Sequence, residues 1–190
     1  MALPKRLAKV ALVVDRAHYD ELVLGAIAGA RRQLWISTAN LKELWVEAPI
    51  GSVARARGRF RSILEVIAGL AGRGVEVRVL HAGVPSGPFR AALARRKRIA
   101  GLAMRRCPRV HMKIVVVDGE ALYLGSANFT GAGLGAKGDG RRNFEMGVLT
   151  DDEVLLDQAQ ARFDRVWSGG ECKACKLRRE CPLPLDQLRR

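Results

Sequence analysis

Apolar positions along this chain alternate between a helical and a strand-like period. Over residues 20–32, Leu22, Leu24, Ile27 and Ala28 recur at helical spacing among small residues, whereas residues 33–41 (QLWISTANL) alternate as a strand does. The step then repeats. Residues 61–72 return to helical spacing through Ile63, Leu64, Ile67 and Leu70, and residues 74–80 (GVEVRVL) predict a second strand. Between the two steps, residues 44–58 contain Pro49, Gly51 and Gly58 with Arg55, Arg57 and the adjacent Arg59, and read as a basic surface loop.

Farther along, residues 81–88 form a Gly and Pro loop. Residues 89–106 read as a helix or flexible arm crowded with Arg90, Arg95, Arg96, Lys97, Arg98, Arg105 and Arg106. Pro108 limits helix continuation at Cys107. Residues 110–117 are β-branched and apolar between their polar positions, and Asp118-Gly119 is a strong hairpin signal before a strand at residues 121–124. A glycine loop with the look of a mobile segment (residues 131–140), a short strand (144–149) and a helix with an acidic start (152–167) complete the pattern. Helices and strands alternating around a hairpin predict an α/β fold, a mixed β-sheet flanked by helices.

A length of 190 residues suits one full core with an appendage: a catalytic domain over residues 1–167 and a cysteine-rich tail over 168–190. Nearly half the residues are apolar, 48%, which excludes a disordered chain. Charge changes the picture more, because 33 Lys and Arg against 19 Asp and Glu leave +14, the balance of a protein that meets polyanions, nucleic acid or an anionic membrane surface. Arg predominates, and its planar fork of donors suits phosphate oxygens. No apolar run reaches bilayer length and residues 1–14 carry no signal-peptide pattern, so no membrane span and a cytoplasmic location are expected.

Candidate chemistry is concentrated in residues 111–128. His111, Lys113, Asp118, Gly125, Ser126 and Asn128 give H-x-K-x4-D-x6-G-S-x-N without a break. Side chains two apart on a strand share a face, so His111 and Lys113 project together, and Ser126 and Asn128 return to the same rim from the partner strand. A nucleophile, a cation and polar donors then converge on one small anionic group, for which a phosphodiester fits. His111 can attack phosphorus while Lys113 and Asn128 donate to the non-bridging oxygens, and the arrangement requires no divalent metal. The fragment at residues 37–41 (STANL) faintly echoes residues 126–130 (SANFT), but no His-x-Lys precedes it.

These six positions resemble the defining HKD motif of the phospholipase D superfamily. The resemblance implies that His111 forms a phosphohistidine, that Lys113 and Asn128 bind the phosphate, that Asp118 is largely structural, and that Ser126 orients the site. It also implies a downstream acidic residue accepting a hydrogen bond from the histidine, for which Glu145 in the N-F-E of residues 143–145 is the candidate. With one motif per chain, the sequence is similar to the small bacterial nucleases of the superfamily, which complete their active site as a homodimer: one His111 would act as nucleophile and the other as general acid. His18 and His81 have no companion pattern and are expected to be exposed or in loops.

The tail reads Cys172-x2-Cys175-x5-Cys181, three thiols able to hold one face of a metal or cluster, with Cys107 as a fourth ligand. This spacing resembles the C-terminal clasp of RecB-type nucleases, which implies a structural [4Fe-4S] cluster; a four-thiolate zinc site is the other expectation. The expected activity is a metal-independent nuclease acting on DNA or RNA. The alternatives are a phospholipase acting on an anionic lipid such as cardiolipin, which an apolar loop beside the site would support, and a non-catalytic nucleic-acid-binding subunit, which would have no need of His111.

Overall fold

Every strand of the main sheet is short, four to six residues, and the sheet gains its strength from being covered on both faces. The computed structural model describes residues 7–48, 51–96 and 98–188; Pro49 of the basic loop, Lys97 of the basic arm and the first six residues lie outside the described residues. Seven strands, β1 (Ala11–Val14), β2 (Gln33–Thr38), β5 (Glu76–His81), β6 (Leu102–Arg106), β7 (Ile114–Val117), β8 (Ala121–Gly125) and β9 (Met146–Thr150), lie in the order β1-β9-β8-β7-β2-β5-β6. β2, β5 and β6 run parallel, and all other pairings are antiparallel. A separate two-stranded hairpin pairs β3 (Trp45–Glu47) with β4 (Phe60–Ser62).

The period-2 rule sorts the sheet's side chains between two cores. Leu34, Ile36, Val77, Val79, Val115, Val117 and Tyr123 face a large core with the π-helix His18–Ile27 and the helix α2 (Ile63–Gly72). Trp35, Leu80, Ile114, Val116 and Leu122 face the other way, onto Leu156, Phe163 and Trp167 of helix α4 (Glu153–Trp167) and onto Leu185 of the tail. Both long α-helices start where the chain supplies a cap: Ser62 and Glu65 form a reciprocal capping box on α2, and the Asp152 carboxylate accepts from Leu155 N–H on α4.

Four expectations need correction. The basic loop contains β3 and a one-turn helix, α1 (Val53–Ala56), because Arg55 pairs with Glu47 and donates to the Ala48 carbonyl, folding the loop on itself. The basic arm divides into helix α3 (Gly87–Ala94) and the parallel edge strand β6; charged residues are tolerated at an edge, where one side of the strand meets water. The glycine loop packs tightly, with Leu134 buried and Gly133 so close to the Asn128 carbonyl that a Cβ there would meet it at 2.5 Å. His18 and His81 are buried, each donating Nδ1–H to a backbone carbonyl, that of Asp15 (3.0 Å) and of Gly83 (2.8 Å).

Candidate active site

The β7–β8 hairpin carries the motif, and its two ends do different things. At the tip, Asp118 and Gly119 both take left-handed backbone angles, φ +58° and +70°, the geometry of the tightest hairpin turn. The Asp118 carboxylate there accepts from the backbone N–H groups of Arg31, Arg32 and Gln33 at 2.7–3.0 Å, pinning the tip to the start of β2. Burial pushes this carboxyl's pKa up, but the three N–H donors and the Arg32 charge together outweigh it and hold it below the usual carboxylate range. Asp118 is thus a whole strand length away from His111, about 13 Å along the four residues of β7, and is not part of the reacting rim.

The other end assembles the rim. His111 and Lys113 precede β7 in irregular chain, yet the Gly125 N–H still donates to the Lys113 carbonyl at 3.2 Å, so the hairpin's pairing extends beneath them. Lys113 Nζ lies 3.0 Å from His111 Nδ1 and 3.2 Å from Nε2 and donates to the His111 carbonyl at 2.9 Å. Partial burial pulls the Lys113 pKa down, with the nearby Glu145 charge opposing it. Across the hairpin, Ser126 Oγ donates to the Glu145 carboxylate and accepts from Met146 N–H at 3.1 Å.

Asn128 is oriented by residues that the sequence reading did not assign. Its Oδ1 accepts from the Asn40 N–H at 3.0 Å and lies 3.4 Å from the Thr38 hydroxyl, which donates to the Asn40 carbonyl at 2.8 Å, and its NH2 group is left as a donor. Thr38 Oγ1 also accepts from the Phe129 N–H at 2.9 Å, and Leu41 and Phe129 form a parallel bridge. The echoing fragments STANL and SANFT therefore lie side by side in the fold. Their likeness was the sequence signal for Thr38 and Asn40.

Glu145 joins the site through Ser126 and Asn143, whose Nδ2 donates to it at 3.0 Å; among the described residues it takes no hydrogen bond from His111. Beneath it runs a buried chain of contacts with no local sequence signal. The Glu145 N–H donates to Asp15 Oδ1, the Asp15 carbonyl accepts from His18 Nδ1–H, and His18 Nε2 accepts from the Tyr123 hydroxyl at 2.9 Å. Tyr123 Oη in turn accepts from Ala127 N–H at 3.4 Å, inside the motif. Burial lowers the His18 pKa and pushes the Tyr123 phenol up to about 12, so both are neutral at ordinary pH. The motif glycine has its reason here too: Gly125 pairs with Gly147, and a side chain on either would collide with the Tyr123 ring.

The basic arms contribute less than their count suggested. Arg105 donates to the Trp167 carbonyl and stacks 4.5 Å over its ring, and Arg106 donates to the Ala82 carbonyl. Arg57, Arg59, Arg90, Arg95 and Arg98 remain exposed, while Arg96 faces Glu65. Cys107, Cys172, Cys175 and Cys181 are free thiols. Among the described residues no three His, Cys, Asp or Glu side chains are grouped as ligands of one ion, so the closed clasp expected from the tail spacing is not supported. The tail's links are instead Arg–carboxylate pairs, Arg162 and Arg165 with Glu171 and Arg178 with Asp186.

Fold and motif together are those of a phospholipase D-like domain. Residues 23–167 match the family model described as "Cardiolipin synthase, PLD-like domain", and the chain belongs to this phospholipase D-like family. Among curated proteins it is similar to the mitochondrial cardiolipin hydrolase of Xenopus tropicalis, 32% identical over 116 residues, a match covering 56% of this chain and 49% of that protein. The match thus spans about half the length of that relative. Among solved structures, it resembles NucT from Helicobacter pylori (TM-score 0.58, 17% identity, 83% of this chain and 94% of that one). It also resembles the phospholipase D family member Nuc from Salmonella typhimurium (TM-score 0.57, 21% identity, 85% and 95%). At these identities the two structures bear on the fold alone. No helix among the described residues is long and apolar enough to cross a membrane.

Proposed function

We propose that the protein is a metal-independent nuclease that cleaves DNA or RNA through a phosphohistidine at a site shared between two copies of the chain. The observation that carries the reading is a rim open to solvent, His111 and Ser126 exposed and Lys113 and Asn128 half-buried, with a single histidine in it. That rim borders an exposed apolar patch at the β1 edge of the sheet: Leu12 and Val14 of β1, Phe144, and Met146 of the neighbouring β9 are all exposed, Phe144 almost fully at 96%. Met146 exchanges backbone and side-chain hydrogen bonds with Ser126, so a second copy seated on this edge adjoins the rim.

In the reaction, a His111 ring nitrogen attacks phosphorus and a P–N bond forms as the P–O bond to the leaving group breaks. The leaving oxygen takes a proton from the imidazolium of His111 of the partner subunit. That imidazole, now neutral, accepts a proton from water, whose oxygen attacks phosphorus; the P–N bond breaks and the first His111 is regenerated. Lys113 Nζ and the Asn128 NH2 donate to the non-bridging oxygens as charge builds there. The net charge of +14 supplies the attraction for a polyanion.

A second reading, hydrolysis of an anionic lipid such as cardiolipin, has its own support: the match to a cardiolipin hydrolase, and Phe144 and Met146 exposed on either side of Glu145 as apolar contacts beside the site. The test is turnover of labelled single-stranded DNA, duplex DNA, RNA and cardiolipin vesicles in EDTA by the wild type and His111→Asn. Nucleic-acid cleavage lost in the variant is expected. Cardiolipin turnover alone assigns the second reading, and equal cleavage by the variant, or none by the wild type, overturns both.

A further inference from the structure

The catalytic rim leaves unexplained a second assembly on the opposite core. Cys107, just after β6, and Cys172, Cys175 and Cys181 of the tail are far apart in the chain, yet all four line one cavity of about 100 Å³. They are the only cysteines in the sequence. Chance packing of four thiols against one void is a poor account of Cys107 and tail cysteines separated in the chain by the β7–β8 hairpin, β9 and α4. None forms a disulfide.

The surroundings suit thiolates. Arg109, Arg162 and Arg178 line the same cavity, together with the Glu171 carboxylate. Four thiolates carry four negative charges, more than one divalent ion neutralises; Arg162 and Arg178 are paired with Glu171 and Asp186, and Arg109 on the wall offsets part of the remainder. The backbone is shaped for ligation as well: a turn closed by Cys175 N–H to the Cys172 carbonyl, 3.2 Å, presents the two sulfurs of the C-x2-C pair from one short arc.

Apart from the ion pairs of Arg162 and Arg165 with Glu171, the tail has few contacts to hold it down. Between residues 168 and 188 it forms turns and one short 3-10 segment (Leu185–Gln187), and of its four leucines only Leu185 is buried. A segment with so little apolar burial gains its order from a cross-link or a metal.

We propose that Cys107, Cys172, Cys175 and Cys181 form a four-thiolate site for a thiophilic metal centre that fastens the tail to the base of the catalytic hairpin. In the present arrangement the sulfurs surround the void without three of them meeting at one ion. A lone zinc ion would draw them to about 3.8 Å from one another, given Zn–S bonds of about 2.3 Å. A cubane iron–sulfur cluster fills the space between its thiolates and needs less closure, so the spread of the four cysteines favours it.

The experiment is metal and sulfide analysis of the full chain purified anaerobically, with the four single Cys→Ser variants and His111→Asn. Wild type is expected to hold either about four iron and four acid-labile sulfide per chain, with broad visible absorbance, or about one zinc. Both results support the four-thiolate site, and they distinguish the centre it holds. Cys107→Ser should lose metal as completely as Cys175→Ser, since a tail-only site would not notice it. His111→Asn should keep the full load, which separates this proposal from the catalytic reading. Circular dichroism at low temperature checks that each variant is folded, and limited trypsin digestion should release the tail selectively in the cysteine variants. A metal-free wild type, a disulfide in place of free thiols, or full metal in Cys107→Ser overturns the proposal.

Discussion

The two ends of the β7–β8 hairpin belong to one sequence motif and have opposite physical characters. At the tip, Asp118 is bound by three backbone N–H groups from the start of β2 and fixes a left-handed turn. At the rim, His111 and Ser126 are exposed, and Lys113, Ser126 and Asn128 are held by local hydrogen bonds, with the Asn128 NH2 group left as a donor. A motif in sequence is therefore two devices in space, one that sets the register of the hairpin and one that uses it. The comparison makes a sharp demand: rim substitutions should remove activity and spare stability, and tip substitutions should do the reverse.

His111→Asn should have the largest effect. Removing the nucleophile is expected to lower kcat by at least about 10³-fold. As an exposed side chain, its loss should leave stability within about 0.5 kcal/mol. Kinetics and thermal unfolding on one preparation check both; a large drop in melting temperature would mean the rim is structural after all. Asn128→Asp should follow. The aspartate keeps an oxygen for the Asn40 N–H but removes the NH2 donor and sets a negative charge against the phosphate, so a loss of roughly 10²-fold in kcat/KM is expected. Activity near wild type would show that Asn128 does not face the substrate.

Asp118→Ala tests the other end. Leaving three N–H groups without their charged acceptor should cost about 2 kcal/mol, with kcat at low temperature retained. The folded-state pKa of Asp118 is depressed, so its contribution is present above the unfolded value of about 4 and is lost as pH falls below it. Asp118→Asn, which tolerates the positive φ, should accordingly flatten the acid limb of a stability–pH profile. An unchanged limb would mean that the tip is held by its turn alone.

How much of this was legible in the sequence follows from the range of the interactions. The hairpin, both helix–strand steps and α4 were read correctly because period, turn chemistry and capping are local. β6 was missed because LAMRR has neither strand alternation nor β-branched residues; its strand state comes from pairing in parallel with β5. β1 went unremarked for a similar reason, since it is fixed by antiparallel pairing with β9, more than a hundred residues later. At the candidate site, His111, Lys113, Ser126 and Asn128 were named from spacing, and all four lie at the open end of the hairpin. The role of Asp118 as a tip anchor, already implied by the family resemblance, gains a geometric reason. Thr38 and Asn40 had only the faint STANL echo as a signal, and Asp15, His18 and Tyr123 could be assigned only once the π-helix was placed against the hairpin; the charge of an arginine says nothing about whether it meets a carbonyl, as Arg105 does, or solvent.

Tyr123 lies between the two ends and sharpens the comparison with the smallest effect. Its hydroxyl donates to His18 Nε2 and accepts from the Ala127 N–H, so it couples the buried layer to the motif without touching the rim. Tyr123→Phe keeps the ring against Gly125 and Gly147 and should cost about 1 kcal/mol, the net worth of one buried hydrogen bond. Activity should fall less than in Asn128→Asp, because the rim side chains keep their own partners. The pH dependence gives a signature that a mere packing defect lacks. Burial holds the Tyr123 phenol protonated up to about 12, whereas the unfolded chain ionises near 10, so its contribution is present below about 10 and is lost as pH rises between those values. The base limb of the stability profile should be shallower in Tyr123→Phe than in wild type. If the two limbs coincide, Tyr123 supports the hairpin by its ring alone and the buried chain does not couple tip, core and rim.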